Sequence, residues 1–167
     1  MELYDGCSVN ATMAHWKQRE TVFGEYELAV TLPGRWQLRP SDSPTRWLYR
    51  SVEKHNEHVT IQREESTALD GEEEAALRRW VGRQRRGMEL SFGRTSDLKM
   101  SEPEYGLLSG VPIVRYQGEA SSLQHSFQVL FLCPPRTVWT LVYDAFRFTS
   151  EQAEAHAQVI FDSVCLR

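Results

Sequence analysis

The chain has 167 residues, 41% of them hydrophobic and 25% charged, with a net charge of −4 and a sequence pI near 5.8. That length suits a single domain with its own core, and the composition excludes wholesale disorder. The acidic balance argues against general nucleic-acid binding, which needs a strongly positive surface, and no run of apolar residues is long enough to cross a membrane as a helix.

In chain order, residues 1–21 carry little periodicity and are expected to form an N-terminal arm, followed by one domain over residues 22–167. The start lacks the cationic and apolar runs of a secretory leader, so the expected location is cytoplasmic. Cys7, Cys133 and Cys165 make an odd count without CxxC spacing, which fits reduced thiols, with Cys133 and Cys165 as small buried residues. Tyr26, Leu28, Val30 and Leu32 alternate with polar or small residues, as in a half-buried strand. Pro33-Gly34 breaks that strand, and Trp36 follows at once; the expectation is that Trp36 plugs the sheet edge into the core. Residues 39–45, RPSDSPT, read as a loop. RWLYRS and then Val59 and Ile61, alternating with His58, Thr60, Gln62 and Glu64, complete an antiparallel meander with one wet face.

A helix follows, with Asp70 as N-cap, Glu72 to Glu74 in the first turn, and Leu77, Trp80, Val81 and Met88 on one stripe. Gly87 is a candidate end, although the stripe could run to Leu90. The segment RRWVGRQRR places five arginines in nine residues. Arg78, Arg79, Arg83 and Arg86 fan across an exposed arc, either a solvated face paired with glutamates or a patch for an acidic partner or RNA.

Four further strands are expected in SDLKMSE, PIVRYQGEA, LQHSFQVLFLC and TVWTLVYDAF. The last two are apolar on both faces and therefore central, joined by a turn at Pro134-Pro135. Thr149 with Gln152 forms a capping box, and Ala153, Ala157, Ile160, Phe161 and Val164 give the last helix its stripe. Strands, helix, strands, helix, with no βαβ alternation, specify an α+β domain: an antiparallel β-sheet flanked by helices.

No nucleophile elbow, HExxH, P-loop or GxGxxG pattern occurs, so the chain reads as non-enzymatic, with no cofactor and no metal. His55 and His58 are spaced HxxH around a turn, too few ligands for a metal site. His125 has no nucleophile positioned against it, and Asp144 is expected to be a hydrogen-bonded residue near a strand end. The candidate partner-binding residues are Trp47, Tyr49 and Tyr116, as aromatic anchors, with Arg83 and Arg86 as the basic component. A pocket holding His125 or Asp144 with Arg115 would favour a small-ligand site or an enzyme instead; a structural subunit of a larger assembly is the third reading.

The corner YELAVTLPGRW, the strand HVTIQREE, the helix ending RRWVGRQRRGMEL and the closing helix AHAQVIFDSVCL resemble the PsbP-like superfamily. That group includes photosystem PsbP proteins, Ran-release factors of the Mog type and bacterial DcrB-like proteins. The likeness covers residues 22–167 and rests on structural motifs. It implies an α/β/α sandwich around an antiparallel sheet, and protein binding rather than catalysis. The DcrB-like chaperones of type VI secretion hold apolar N-terminal segments of effectors, which implies an adaptor using one sheet face as an apolar platform. A homodimer would enlarge that platform. The N-terminal extension and the arginine-rich helix depart from the DcrB-like pattern.

Overall fold

The computed structural model describes residues 20–23, 28–53, 56–66, 71–92, 97–147 and 149–166. Residues 1–19 of the expected arm, with Cys7, and Tyr26, His55 and the N-cap Asp70 fall outside these. The alternating stretch forms β2 (Leu28–Thr31), and β1 (Glu20–Phe23) pairs antiparallel with it. The meander follows as β3 (Trp36–Arg39), β4 (Arg46–Ser51) and β5 (Glu57–Glu65), then α1 (Glu73–Phe92). Next come β6 (Leu98–Met100), β7 (Glu104–Leu108), β8 (Val111–Ala120), β9 (His125–Leu132) and β10 (Thr137–Phe146). The chain closes with α2 (Ser150–Asp162) and β11 (Cys165–Leu166).

Eight strands form one antiparallel sheet in the order β3-β4-β5-β10-β9-β8-β6, with β7 also paired to β8; β1, β2 and β11 form a second, small sheet. β9 and β10 are central because they are apolar on both faces, and every residue of β9 is buried. One face carries Leu130, Leu132, Trp139, Leu141 and Tyr143 against Ala153, Ala157 and Ile160 of α2. The other carries Phe127, Val129, Phe131, Val138 and Val142 against Leu77 and Val81 of α1. Each fully buried side chain of this size contributes roughly 1.5–3 kcal/mol. The result is the helix–sheet–helix sandwich expected from the order of elements.

The Pro-Gly corner works as the sequence suggests. Gly34 adopts φ 86°, a conformation that a Cβ would oppose. The turn brings the Trp36 ring into the core at 7% exposure, where its Nε1 donates to Pro33 O at 2.6 Å. The Thr149 capping box is present in full at the start of α2. α1 runs past Gly82 and Gly87 to Phe92, whose ring stacks on Phe127 at 6.1 Å. That aromatic contact offsets the propensity lost at two helical glycines. β7 escaped the periodicity reading because its residues are mostly exposed. Its pairing with β8 is set by the Ser109-Gly110 turn, in which both residues have positive φ, as a two-residue hairpin requires.

Candidate partner-binding face

α1 packs on β8 and β9, so it roofs only part of its side of the sheet. The other part, formed by β3, β4 and β5, has a different chemistry. Val59 and Ile61 of β5 point to the α2 side, so His58, Thr60 and Gln62 point to the α1 side. Register then aligns the neighbours: Leu48 sits opposite Thr60, Arg46 opposite Gln62 and Arg50 opposite His58. Arg39 lies opposite Leu48 on the edge strand. A half-buried Leu48 is therefore surrounded by three arginines, Arg39 across the ladder and Arg46 and Arg50 two residues to either side. Same-face neighbours along a strand are about 7 Å apart and cross-strand pairs about 5 Å. Arg39 and Arg46 are exposed. The arginines do not face one another directly but stand on diagonals or four residues apart, so together they ring Leu48 with positive charge.

The positive band continues onto α1. Arg83 stacks over the Trp80 ring at 4.6 Å and bears on Glu64 of β5. Burial raises the pKa of Glu64, and the Arg83 charge opposes that rise. Arg86 and Arg79 are exposed farther round the helix. Two of the run's arginines are committed elsewhere. Arg78 pairs with Glu74 at 2.8 Å and covers Tyr105, while Arg85 donates to Ser101 O at 2.6 Å over Tyr116.

The aromatic residues expected at a partner interface are placed differently. Tyr49 is 2% and Tyr116 4% exposed, and Trp47 is half-buried on the α2 side, stacked on Trp139 at 6.3 Å. Tyr49 and Tyr116 lend their apolar area to the two cores, while Trp47 keeps part of its ring exposed beside them. Tyr116 lies beneath α1 with its hydroxyl buried and without a hydrogen bond among the described residues, and burial raises its pKa.

His125 and Asp144 do come together, on the α1 side and far from Arg115, which faces α2. His125 Nε2 lies 2.7 Å from Asp144 Oδ1, and its ring stacks on Phe146 at 4.2 Å with Phe92 at 5.2 Å. Asp144 is thus the hydrogen-bonded carboxylate expected. His58, opposite Asp144, has a lowered pKa. Burial is the main cause; Asp144 opposes it, and Arg50, Arg39 and His125 reinforce it.

A second histidine–carboxylate pair went unnoticed in the sequence. Glu57 is 3% exposed on the α2 side, where it accepts from Tyr143 Oη at 2.6 Å and meets His156 Nδ1 at 2.5 Å. Its parity with Val59 and Ile61 marks it as an inward-facing carboxylate. Cys133 is a buried free thiol, and Cys165 is buried in the small sheet. Among the described residues, no group of three or more His, Cys, Asp or Glu is arranged to hold a metal, and no helix is long and apolar enough to cross a membrane.

No family model matches the chain, and no curated protein sequence matches it. Among solved structures it is similar to the cyanobacterial PsbP protein (CyanoP) of Synechocystis, with a TM-score of 0.63 at 10% identity over 96% of this chain and 98% of that one. It is also similar to a protein of Bacteroides thetaiotaomicron, with a TM-score of 0.50 at 9% identity over 84% of this chain and 45% of that one. The chain has a PsbP-like fold, as the strand, corner and helix patterns implied.

Proposed function

We propose that this chain is a non-enzymatic protein-interaction domain that receives an acidic segment of a partner protein on the face around Leu48. The observation that carries the reading is the cluster of Arg39, Arg46 and Arg50 around one half-buried leucine, on sheet surface that α1 leaves open. An acidic segment with one apolar side chain would meet complementary charge at the rim and an apolar contact at the centre. Arg83 and Arg86 extend the same positive band along the helix flank.

A DcrB-like adaptor that clasps an apolar segment would need apolar sheet surface in the open. Both apolar faces here are roofed, one by α1 and one by α2. The open face is basic, which favours an acidic partner over an apolar one, and a role in type VI secretion has no separate support. A symmetric homodimer through this face is disfavoured, because a twofold contact would set arginines against arginines.

The test is capture of a fluorescently labelled, glutamate-rich peptide containing one leucine, followed by anisotropy. Arg46→Glu together with Arg39→Glu should weaken binding at least about tenfold, and added salt should weaken it further. Binding that is unchanged by both charge reversals and by salt would refute the assignment.

A further inference from the structure

On the opposite side of the sheet, beneath the first turns of α2, lies a cleft of about 250 Å³. Gln117 and Glu119 of β8 pair with Gln128 and Ser126 of β9 to form its floor, Glu154 of α2 forms its roof, and Lys99 stands at its mouth. A second hollow of about 200 Å³ shares Gln117, Gln128 and Glu154, and ends at Arg115, which donates to Gln158 at 3.1 Å.

Two floor residues are buried without partners. Gln128 is 7% and Ser126 8% exposed, yet neither side chain forms a hydrogen bond among the described residues. Their polar atoms are not sealed off but open onto the cleft, at a position where a domain core would ordinarily hold leucine or valine. The alternating strand continues as Leu130 and Leu132, so the polar pair interrupts an apolar face at the point where the cleft opens.

We infer that this cleft binds a saccharide unit. The Gln128 amide offers a donor and an acceptor side by side, which matches a pair of vicinal hydroxyls. The Glu119 and Glu154 carboxylates accept from hydroxyls and oppose an anionic ligand. Lys99 at the mouth offsets part of their charge, so the cleft is not built for a cation. Ala153 of α2 adds a small apolar contact for the C–H face of a sugar ring. The site is independent of the basic face, which lies across the sheet, so either reading can fail without the other.

The experiment is a two-dimensional ¹⁵N–¹H titration of the full chain with glucose and with N-acetylglucosamine, using glycine and inorganic phosphate as probes of other chemistry. Saturable shifts are expected with a sugar at the side-chain amides of Gln117 and Gln128 and at the backbone of Ser126 to Gln128. Gln128→Leu should weaken sugar binding at least about tenfold without lowering the melting temperature, because a leucine there continues the apolar face of Leu130 and Leu132. Glu154→Gln, on the exposed roof, should weaken binding severalfold in a protein whose folding is undisturbed. The absence of saturable shifts with both sugars would overturn the inference. So would shifts caused by glycine or phosphate but not by sugar, or sugar binding that survives both substitutions.

Discussion

The phenol of Tyr143 donates a hydrogen bond to Glu57 Oε1 at 2.6 Å, beneath α2 and away from solvent. A carboxylate so deeply buried is tolerated because Tyr143 and His156 converge on one of its oxygens. Burial first, and the neighbouring Glu57 second, raise the pKa of Tyr143, so the phenol keeps its proton and remains a donor. Tyr143→Phe removes that donor while keeping the ring. It should destabilise the domain by about 1–3 kcal/mol in chemical denaturation; wild-type stability would mean that the hydrogen bond is not needed to bury Glu57.

Gly118 faces Phe127 directly across the β8–β9 ladder. A Cβ at this position would lie 2.3 Å from the Phe127 ring, which is itself 1% exposed and has no room to withdraw. Gly118→Ala should therefore cost about 1–3 kcal/mol by overpacking, although alanine suits a strand better than glycine does. A variant as stable as the parent would show that the ring can shift.

Stability should fall on acidification partly through His58. Its folded pKa lies below the ordinary value of 6.5, so as pH drops the unfolded chain takes up the proton first. The contribution is complete above that ordinary value and is lost as pH falls from it towards the folded pKa. His58→Gln should flatten the stability-against-pH curve in that window; an identical slope would rule His58 out as its source.

Burial, with a smaller effect from the charge of Glu73, pushes the Cys133 thiol up to about 11. Native protein treated with iodoacetamide near neutral pH should leave Cys133 unmodified, and denaturation should expose it. Mass spectrometry of both samples reads the difference; rapid native alkylation at Cys133 would contradict its burial.

The sequence made the centre of the sheet legible because β9 and β10 are apolar at consecutive positions, and α2 because its capping box and stripe are local. Trp36 was legible for the same reason, since the Pro-Gly corner and the ring that fills it are adjacent. What stayed hidden depends on register. Arg39 appeared to open a loop, and Arg46 and Arg50 appeared to be ordinary strand polar residues. Only the β3–β4 and β4–β5 pairings gather them around Leu48. The arginine run on α1 was more conspicuous, yet two of its members are spent on Glu74 and Ser101. Glu57 and His156 are 99 residues apart, a distance no local pattern spans. The burial of Tyr49 and Tyr116 was not legible, because Tyr and Trp serve cores and interfaces equally well.

The account rests on the open basic face, and mapping the contact surface of an acidic peptide on the ¹⁵N-labelled chain tests it most directly. Shifts concentrated at Arg39, Leu48, Arg50 and Thr60, fading together as salt is raised, are the predicted result. A saturable contact surface elsewhere on the domain, with these residues unmoved, would contradict it.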